Sequence, residues 1–422
     1  MTMNRSISAS PATRALRHRF EGAATGLRAA GVALLVMLVA ACAGGTSNAP
    51  TTPSSNTPFN VLVVGALTGA TGALGAACVN GIQASALTLN GEGGILGHKV
   101  QIKTYDSGGN ATQAVSILTQ ALNSGTTWNY TYSGSTSDEQ VAEGPSVNSA
   151  KIIGISNNGL LSLGDVKTYP YHFLNSSNAD VVSKFVVDYA QKQNFKKLGL
   201  LTEDNAFGQQ EHKSYGAALK AANIPYVDQV FSATAVDISP ALLQMQAAGV
   251  DGVIWNALGT SIGYALKSRL KVGYMVPFIG DLGVSSGDVV TLAGSSDALK
   301  NVVMQNWSIN VATADQGKSP QFKTFLDNLH SVAVTITQPL QQYGNCYDGL
   351  QAYNIAAKQA NSLDPDKVRS ALESLKLPST SPLIVFPKGF GWTAQSHLMV
   401  NYPEQFTIVA PGALKDGQQA AP

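Results

Sequence analysis

Apolar runs of strand length alternate with amphipathic stretches of helix length through most of the chain, and this alternation constrains the fold more than any other feature. Asn60–Gly65 has the pattern of a buried strand, Leu74–Asn90 that of a helix, and Lys99–Tyr105 that of a second strand. Strands that alternate with helices form mainly parallel sheets covered by helices on both faces. The sequence therefore predicts an α/β fold.

The same pattern recurs further along the chain. The other predicted strands are 151–155, 197–201, 225–231, 252–255 and 276–279, and the other predicted helices are 112–123, 179–193, 208–222, 240–248 and 261–272. One sheet containing all of these strands would be unusually wide, so we predict two sheets. Ligands of parallel α/β sheets bind beyond the carboxyl ends of the strands, which makes the loops after the strands the candidate site.

The first 41 residues have the composition of a secretory signal peptide. A basic stretch ends at Arg28, and the apolar run Gly31–Ala41 follows it. This run is too short to span a bilayer, which takes about 20 residues, but it has the length of a signal-peptide core. We therefore predict that 1–41 directs the chain out of the cytoplasm.

The apolar run ends at Val39-Ala40-Ala41-Cys42, which resembles the bacterial lipobox. Cys42 is accordingly predicted to carry a lipid anchor. The segment that follows contains only Gly, Ser, Thr, Asn, Pro and Ala up to residue 58, so 42–58 is predicted to be a lipidated flexible tether. The alternative is an ordinary secretory signal in which Cys42 is incidental.

The rest of the chain is slightly acidic, with 22 basic and 25 acidic residues after position 41. This charge balance gives no reason to expect a nucleic-acid partner. The six histidines never fall at metal-ligand spacing, so neither a metal nor a cofactor is predicted. Cys78 and Cys346 both lie in helical patterns, where they could form a disulfide outside the cytoplasm or remain free and buried.

Short glycine-rich and polar motifs follow the predicted strands in a fixed order. They are VGALTG at 64–69, GEGGILGHK at 91–99, YD at 105–106, SGSTS at 133–137, DNAFG at 204–208, KVGY at 271–274, GD at 280–281 and YD at 347–348. Their order and spacing resemble the type I periplasmic solute-binding proteins of the branched-chain amino acid (Leu/Ile/Val) class. The resemblance covers nearly all of 59–412.

The resemblance implies the substrate-binding component of an ABC importer, a monomer that delivers a small amino acid, amide or organic acid to membrane subunits. It also implies two lobes joined by three crossings, which close on the ligand like a hinge. We expect the crossings near 174–178, 305–311 and 382–390. The expected divisions are 59–174 plus 311–382 for lobe 1, 176–306 plus 388–412 for lobe 2, and 413–422 for a tail.

The motif at 133–137 precedes a predicted helix. Thr136-Ser137-Asp138-Glu139 fits a capping box in which Thr136 is the N-cap. A helix N-terminus with free N–H groups and nearby hydroxyls suits a carboxylate. The resemblance implies that Thr136 and Ser137 bind the ligand's carboxylate, and the alternative is a plain helix cap.

Further ligand contacts follow from the resemblance. Asn157, Asn158 and Gly159 fall where relatives offer backbone and hydroxyl groups, and here two asparagines could donate and accept instead. The alternative is that 157–159 form a solvated turn. Phe207 falls where relatives have a tyrosine that closes over the ligand. Leu74 and Leu258 replace aromatic residues, which argues against a simple transfer of leucine specificity. The alternative for Leu74 and Phe207 is a place in the core.

Amino acid binders of this class pair an acidic residue with the ligand's ammonium group. A direct count places Leu282 at that position and Asp281 one residue earlier. A buried ammonium without a carboxylate partner would be unfavourable. We therefore expect Asp281 to contact the ligand. The alternative is that it points away and caps the following segment, which would indicate a ligand without an ammonium group.

Two other functions remain as alternatives. Gly259-Thr260-Ser261-Ile262-Gly263 matches the G-x-S-x-G motif of serine hydrolases, between a strand and a helix. A hydrolase would also need a histidine in a suitable loop and an oxyanion segment, which are not recognisable, so Ser261 is interpreted as a helix N-cap. The second alternative is a ligand-sensing receptor that works with a partner.

Overall fold

The structure is a computed structural model that describes residues 57–313, 315–400 and 402–421. The predicted signal peptide, Cys42 and nearly all of the predicted tether lie outside these residues. The strands are β1 (Phe59–Gly65), β2 (Val100–Asp106), β3 (Tyr130–Ser133), β4 (Ile153–Ser156), β5 (His172–Leu174), β6 (Leu198–Glu203), β7 (Tyr226–Phe231), β8 (Gly252–Trp255), β9 (Phe278–Gly280), β10 (Val302–Trp307) and β11 (Phe406–Val409).

Helices alternate with these strands over most of the chain. They are α1 (Gly72–Gly91), α2 (Ala111–Leu122), α3 (Ser137–Ser149), α4 (Ala179–Lys192), α5 (Ala206–Ala221), α6 (Ser239–Ala247), α7 (Thr260–Lys271), α8 (Val289–Ala293), α9 (Pro320–Val332), α10 (Leu340–Ala360) and α11 (Pro365–Leu372). Every strand and helix bounded in the sequence analysis is present, and its ends are shifted by two residues or fewer.

The strands form two sheets, as predicted. The first has the order β2-β1-β3-β4-β5 and is parallel throughout. The second has the order β11-β10-β9-β8-β6-β7, and only the β10–β11 pair is antiparallel. We call each sheet with its packed helices the first lobe and the second lobe. The α/β class with two mainly parallel sheets is therefore confirmed.

Each sheet has a core of its own. In the first lobe, the buried side chains of β1 alternate between two clusters: Val61 and Val63 face α1 and α10, whereas Leu62 and Val64 face α2. Burial on both faces explains why β1 is a continuous apolar run. By length and apolar composition alone, α1 is the one helix of the described residues that could cross a membrane, but it packs here against α9 and α10.

A disulfide joins Cys78 of α1 to Cys346 of α10, so the bridged alternative of the sequence analysis is the one present. The bond connects segments 268 residues apart in sequence. It therefore ties the beginning of the first lobe to the part that the chain adds after leaving the second sheet.

The lobe boundaries expected from the sequence differ at two places from the boundaries that the contacts indicate. Residues 388–400, which were assigned to lobe 2, pack on β5 of the first lobe: Trp392 Nε1 donates to Leu174 O at 2.8 Å, and the ring of His397 stacks on Phe173 at 3.8 Å. The chain consequently passes to the second sheet between Met399 and β11 rather than near 382–390. This packing is determined by burial of aromatic rings. The spacing of these aromatic residues in the sequence follows neither a helical nor a strand period.

The segment 413–422 was predicted to be a tail, yet its described part pairs with the chain after β10. Gln419 N donates to Asn310 O at 2.8 Å, and Ala312 N donates to Gln419 O at 2.9 Å. Leu340 N at the start of α10 donates to Gly417 O at 2.7 Å. These bonds place 417–419 beside one of the three crossings.

Aromatic rings connect the lobes along the crossings. Phe406 of β11 packs on Trp307 of β10 with ring centroids 4.9 Å apart, and Trp307 packs on Phe386 at 5.6 Å. The series continues through Phe390 to Trp392. We call these five residues the aromatic column.

Candidate ligand-binding site

A cavity lies where the carboxyl ends of the two sheets face each other. It contains about 780 Å³ of space, open solvent at its mouth included. The first lobe contributes Thr71, Leu74, Tyr132, Ser135, Thr136, Ser137, Asn157, Asn158, Gly159, Ser176, Ser177, Gln341 and Gln342, and the second lobe contributes Val182, Phe207, Glu211, Leu258, Leu282, Gly283, Ser286 and Trp307. The first wall is mostly polar, and the second is mostly apolar.

Eight of the nine residues predicted to contact a ligand line this cavity. They are Leu74, Thr136, Ser137, Asn157, Asn158, Gly159, Phe207 and Leu258. The strand ends explain the agreement, because β1, β3 and β4 of one sheet and β6 and β8 of the other all point their carboxyl ends at the cavity. The ninth residue, Asp281, lies elsewhere.

The predicted capping box is present at the start of α3. Thr136 Oγ1 accepts from Glu139 N at 3.4 Å, and Glu139 Oε2 accepts from Thr136 N at 3.1 Å. The first-turn N–H groups of Ser137 and Asp138 have no acceptor within the helix, because no turn precedes them. Together with the helix dipole they give this wall a partial positive charge suited to an anionic group.

Hydrogen bonds on the side away from the cavity fix the conformation of the loop before α3. Glu139 is fully buried and also accepts from Ser107 Oγ and from Ser135 N. Ser135 Oγ accepts from Ala66 N at 3.0 Å, which fixes the loop to the end of β1. The conformation needs Gly134, whose φ is +75° and whose absent Cβ would lie 2.7 Å from Gln140 N.

Most hydrogen-bonding groups of the two asparagine side chains are already engaged within the first lobe. Asn158 Nδ2 donates to Ser137 Oγ at 3.1 Å, and Asn158 Oδ1 accepts from Leu160 N at 2.7 Å. Asn157 Oδ1 accepts from Asn345 Nδ2 at 2.6 Å. The side-chain amides of Asn157 and Asn158 therefore stabilise the wall of the cavity as well as lining it.

The apolar wall comes from loops and helix starts of the second lobe. Phe207 stands in the first turn of α5, whose N-cap Asn205 accepts from Gly208 N at 2.8 Å. Leu258 N donates to Glu203 Oε1 at 3.1 Å, which holds the loop after β8. Leu282, the residue given by the direct count, also lines the cavity.

Asp281 does not line the cavity, and its expected direct contact with the ligand is wrong. Its side chain is fully buried behind the wall, where Oδ2 accepts from Asn256 Nδ2 at 2.7 Å and Oδ1 from Val284 N at 3.1 Å. The bond to Val284 caps the short turn that follows, which was the alternative interpretation. Burial raises the pKa of Asp281 to about 7.

Glu211 is the acidic residue that does line the cavity, and the sequence analysis missed it. It lies on α5 four residues after Phe207, on the same face of the helix. Only 3% of its surface is exposed, and Oε2 has no hydrogen-bond partner among the described residues. Burial, and then the charges of Asp281 and Asp180, raise the pKa of Glu211 well above its usual value. Helical spacing from Phe207 was the signal that could have revealed it.

Two hydrogen bonds join the lobes beside the cavity. Ala206 N of the second lobe donates to Asp138 Oδ1 of the first at 3.3 Å. Thr260 N donates to Ala70 O, also at 3.3 Å. Both bonds connect the start of a helix in one lobe to a strand-end loop or helix start in the other, so the two halves of the site are in contact.

Ser261 does not line the cavity. Its hydroxyl donates to Glu203 and to Leu258 O, and no histidine is among its partners in the described chain. The interpretation of Ser261 as an N-cap is also wrong, because α7 begins after Gly259 and has no side-chain cap. Across the described ranges, no three His, Cys, Asp or Glu side chains are grouped so as to hold a metal ion.

A family model described as periplasmic binding protein matches residues 58–402. The chain belongs to the periplasmic binding protein family. A crystal structure of a periplasmic binding protein type 1 from Bordetella pertussis Tohama I superposes with a TM-score of 0.70 at 18% identity, covering 83% of this chain and 96% of that one. The type I fold expected from the motifs is thereby confirmed for this family member.

The Leu/Ile/Val-binding protein of Escherichia coli K12 is 22% identical over 252 residues, which are 56% of this chain and 65% of that protein. The aligned part thus spans slightly less than two thirds of that relative. A Leu/Ile/Val-binding protein of Rhizobium johnstonii is 23% identical over 380 residues, covering 85% of this chain and 95% of the relative.

Proposed function

We propose that this family member is the extracytoplasmic substrate-binding component of an ABC importer, and that it binds a small amino acid, amide or organic acid between its lobes. One observation carries the proposal: the strand-end loops of two separate sheets enclose one cavity, which is polar on one side and apolar on the other. Such a cavity suits a small ligand with a polar head and an apolar body.

The ligand would dock first on the polar wall. The N–H groups at the start of α3 and the hydroxyls of Thr136 and Ser137 would receive a carboxylate or carbonyl oxygen. The apolar body would then contact Leu74 of the same lobe. The names of the two relatives described above support an amino acid as one such ligand.

The second lobe would close over the docked ligand by a hinge at the three crossings. Phe207, Leu258 and Leu282 would cover the apolar body, and the lobe-to-lobe bonds at Ala206 and Thr260 would latch the closed form. A ligand shifts this equilibrium only through contacts that the open form lacks, so the second-lobe wall must supply part of the affinity. The membrane subunits would recognise the closed form.

The protein would act outside the cytoplasm as a monomer held to the membrane by lipid on Cys42. The Cys78–Cys346 disulfide supports this location, because disulfides persist in oxidising compartments. No enzymatic activity is proposed, since Ser261 is buried away from the cavity and hydrogen-bonded to a carboxylate. A sensing role with a partner would use the same closure with a different recipient.

A thermal-shift screen across amino acids, amides and small organic acids tests the proposal. We expect at least one class to raise the melting temperature, because a ligand that binds only the folded state stabilises it by mass action. The bound protein should also have a smaller radius of gyration in small-angle X-ray scattering. A screen without any stabilising compound would contradict the binding function, and binding at full strength to a variant with Ser137→Ala and Asn158→Ala would contradict the site.

A further inference from the structure

We propose that Glu211, supported by Asp281 behind it, is a proton-exchanging acid that receives a positively charged amine of the ligand, so that binding releases a proton. The inference rests on the proposed function because it assigns chemistry to the same cavity. It identifies the ligand as one that carries an amine on the side facing the second lobe.

The position of Glu211 is the first reason. Glu211 lines the cavity and is 3% exposed, and its Oε2 has no hydrogen-bond partner among the described residues. A buried carboxyl oxygen without a partner is costly in an interior. Glu139 and Asp348 are fully bonded here, and Glu143, which also lacks partners among the described residues, does not line the cavity. The missing partner of Glu211 is therefore expected to come from the cavity.

The position of Asp281 is the second reason. A Cβ on Gly283, which lines the cavity, would lie 3.0 Å from Asp281 Oδ1 and 2.8 Å from the ring of Phe207. Asp281 therefore lies directly behind Gly283 in the wall of the cavity. Its charge contributes to the raised pKa of Glu211, although Asn256 and Val284 donate hydrogen bonds to its oxygens.

The groups around Glu211 are acidic or neutral on every side. Asp180 of α4 accepts from Ser214 Oγ of α5, Asp281 comes from the loop after β9, and Tyr215 of α5 is fully buried with an unbonded hydroxyl. The charge of Glu203 contributes to the raised pKa of Asp281. No lysine, arginine or histidine lines the cavity among the described residues. A negative charge on Glu211 would therefore have no counter-ion among the described residues that line the cavity.

Without a ligand, a proton on the carboxyl of Glu211 takes the place of a counter-ion. Burial and the neighbouring carboxylates keep Glu211 neutral when no ligand is bound. When a protonated amine arrives, Glu211 loses its proton to solvent and its carboxylate accepts hydrogen bonds from the amine. The positive charge of the amine replaces that of the released proton, so the buried carboxylate of Glu211 is never left without a positive partner. The affinity for an amine should therefore fall as the pH is lowered.

Calorimetry with matched pairs of compounds tests the ligand class. The probes are leucine with 4-methylpentanoate, and phenylalanine with 3-phenylpropanoate, each pair differing only in the amine. We expect the amine-bearing member of the stabilising pair to bind at least about tenfold more tightly, with a heat that depends on the buffer because a proton is released. In Glu211→Gln the buffer dependence should vanish. Tighter binding of the amine-free acids would overturn the inference while leaving the binding function intact.

Infrared spectroscopy of the ligand-free protein gives a test that needs no ligand. At neutral pH we expect a protonated-carboxyl band that Glu211→Gln diminishes, whereas Glu92→Gln, at an exposed position, leaves it unchanged. If Glu211→Gln leaves the band unaltered, Glu211 is ionised in the empty cavity and the inference fails, whatever the screen shows.

Discussion

Phe207 lines the cavity from the second lobe, where it stands in the first turn of α5 beside Gly283. Phe207→Ala should weaken ligand binding by roughly tenfold, about 1.4 kcal/mol, since the ring covers the ligand only in the closed form. Calorimetry with the best compound of the screen measures the effect.

Tyr264→Ala is the matched control for Phe207→Ala. Tyr264 is a half-buried aromatic residue of α7 that does not line the cavity, so its removal should leave affinity unchanged. Both variants should unfold cooperatively near the wild-type temperature. An unchanged affinity of Phe207→Ala would remove this ring from the site.

At the level of residues, the sequence could place loops but not side-chain directions. Thr136, Asn158 and Phe207 were found because they lie in motifs after strands that resemble those of a known family. Asp281 was expected at the ligand and Glu211 was not predicted at all, and both differences have physical reasons. Val284 N–H donates to Asp281 behind the wall, whereas the helical phase of α5 places Glu211 at the cavity. Neither the turn geometry nor the packing of α5 can be read from composition.

At the level of elements, α1 and α10 form the centre of the first lobe and are joined by the disulfide. Replacing Cys78 and Cys346 together by alanine should lower the free energy of unfolding by about 2–4 kcal/mol, because the bond shortens a very long loop of the unfolded chain. Urea unfolding with and without reductant measures this. If wild type in reductant and the double variant unfold at different urea concentrations, the bond alone does not account for the loss.

The start of α10 depends on one asparagine after β4. Asn157 Oδ1 accepts from Asn345 Nδ2 and from Gln341 Nε2, and its Nδ2 donates to Gln342 Oε1. Asn157→Ala leaves three buried amides without this partner and should cost about 1–3 kcal/mol of stability. Chemical unfolding measures the loss, and Asn123→Ala, at an exposed helix end, should be silent. Equal stability of the two variants would show that the network is not needed.

Periodic elements were predictable and the non-periodic ones were not. Helices such as α4 and strands such as β8 follow from the spacing of apolar residues. Residues 390–399 have no such spacing, and their place on β5 depends on where Phe173 and the aromatic column lie in three dimensions. Sequence reasoning therefore put this stretch in the wrong lobe.

For the whole molecule, buried acids predict how stability depends on pH. Glu143 is fully buried, neither of its oxygens has a partner in the described structure, and burial raises its pKa to about 9. The folded protein thus keeps a proton that the unfolded chain releases, so stability falls as the pH rises towards 9. One such proton contributes a slope of up to about 1.4 kcal/mol per pH unit.

Glu143→Gln should flatten that decline. Asp281 and Asp348, whose pKa values burial raises to about 7, contribute to the decline of both proteins alike. The melting temperature of wild type should therefore fall more between about pH 7 and about pH 8.5 than that of Glu143→Gln. Parallel decreases in both proteins, with Glu92→Gln as the surface control, would refute the role of Glu143.

The aromatic column contains a tryptophan whose fluorescence should be sensitive to movement between the lobes. Trp307 belongs to the column at a crossing and also lines the cavity, whereas Trp128 and Trp255 are buried within single lobes. Any rotation of one half against the other must change the surroundings of this indole. Tryptophan emission, followed without an attached dye, should consequently report opening and closing in real time.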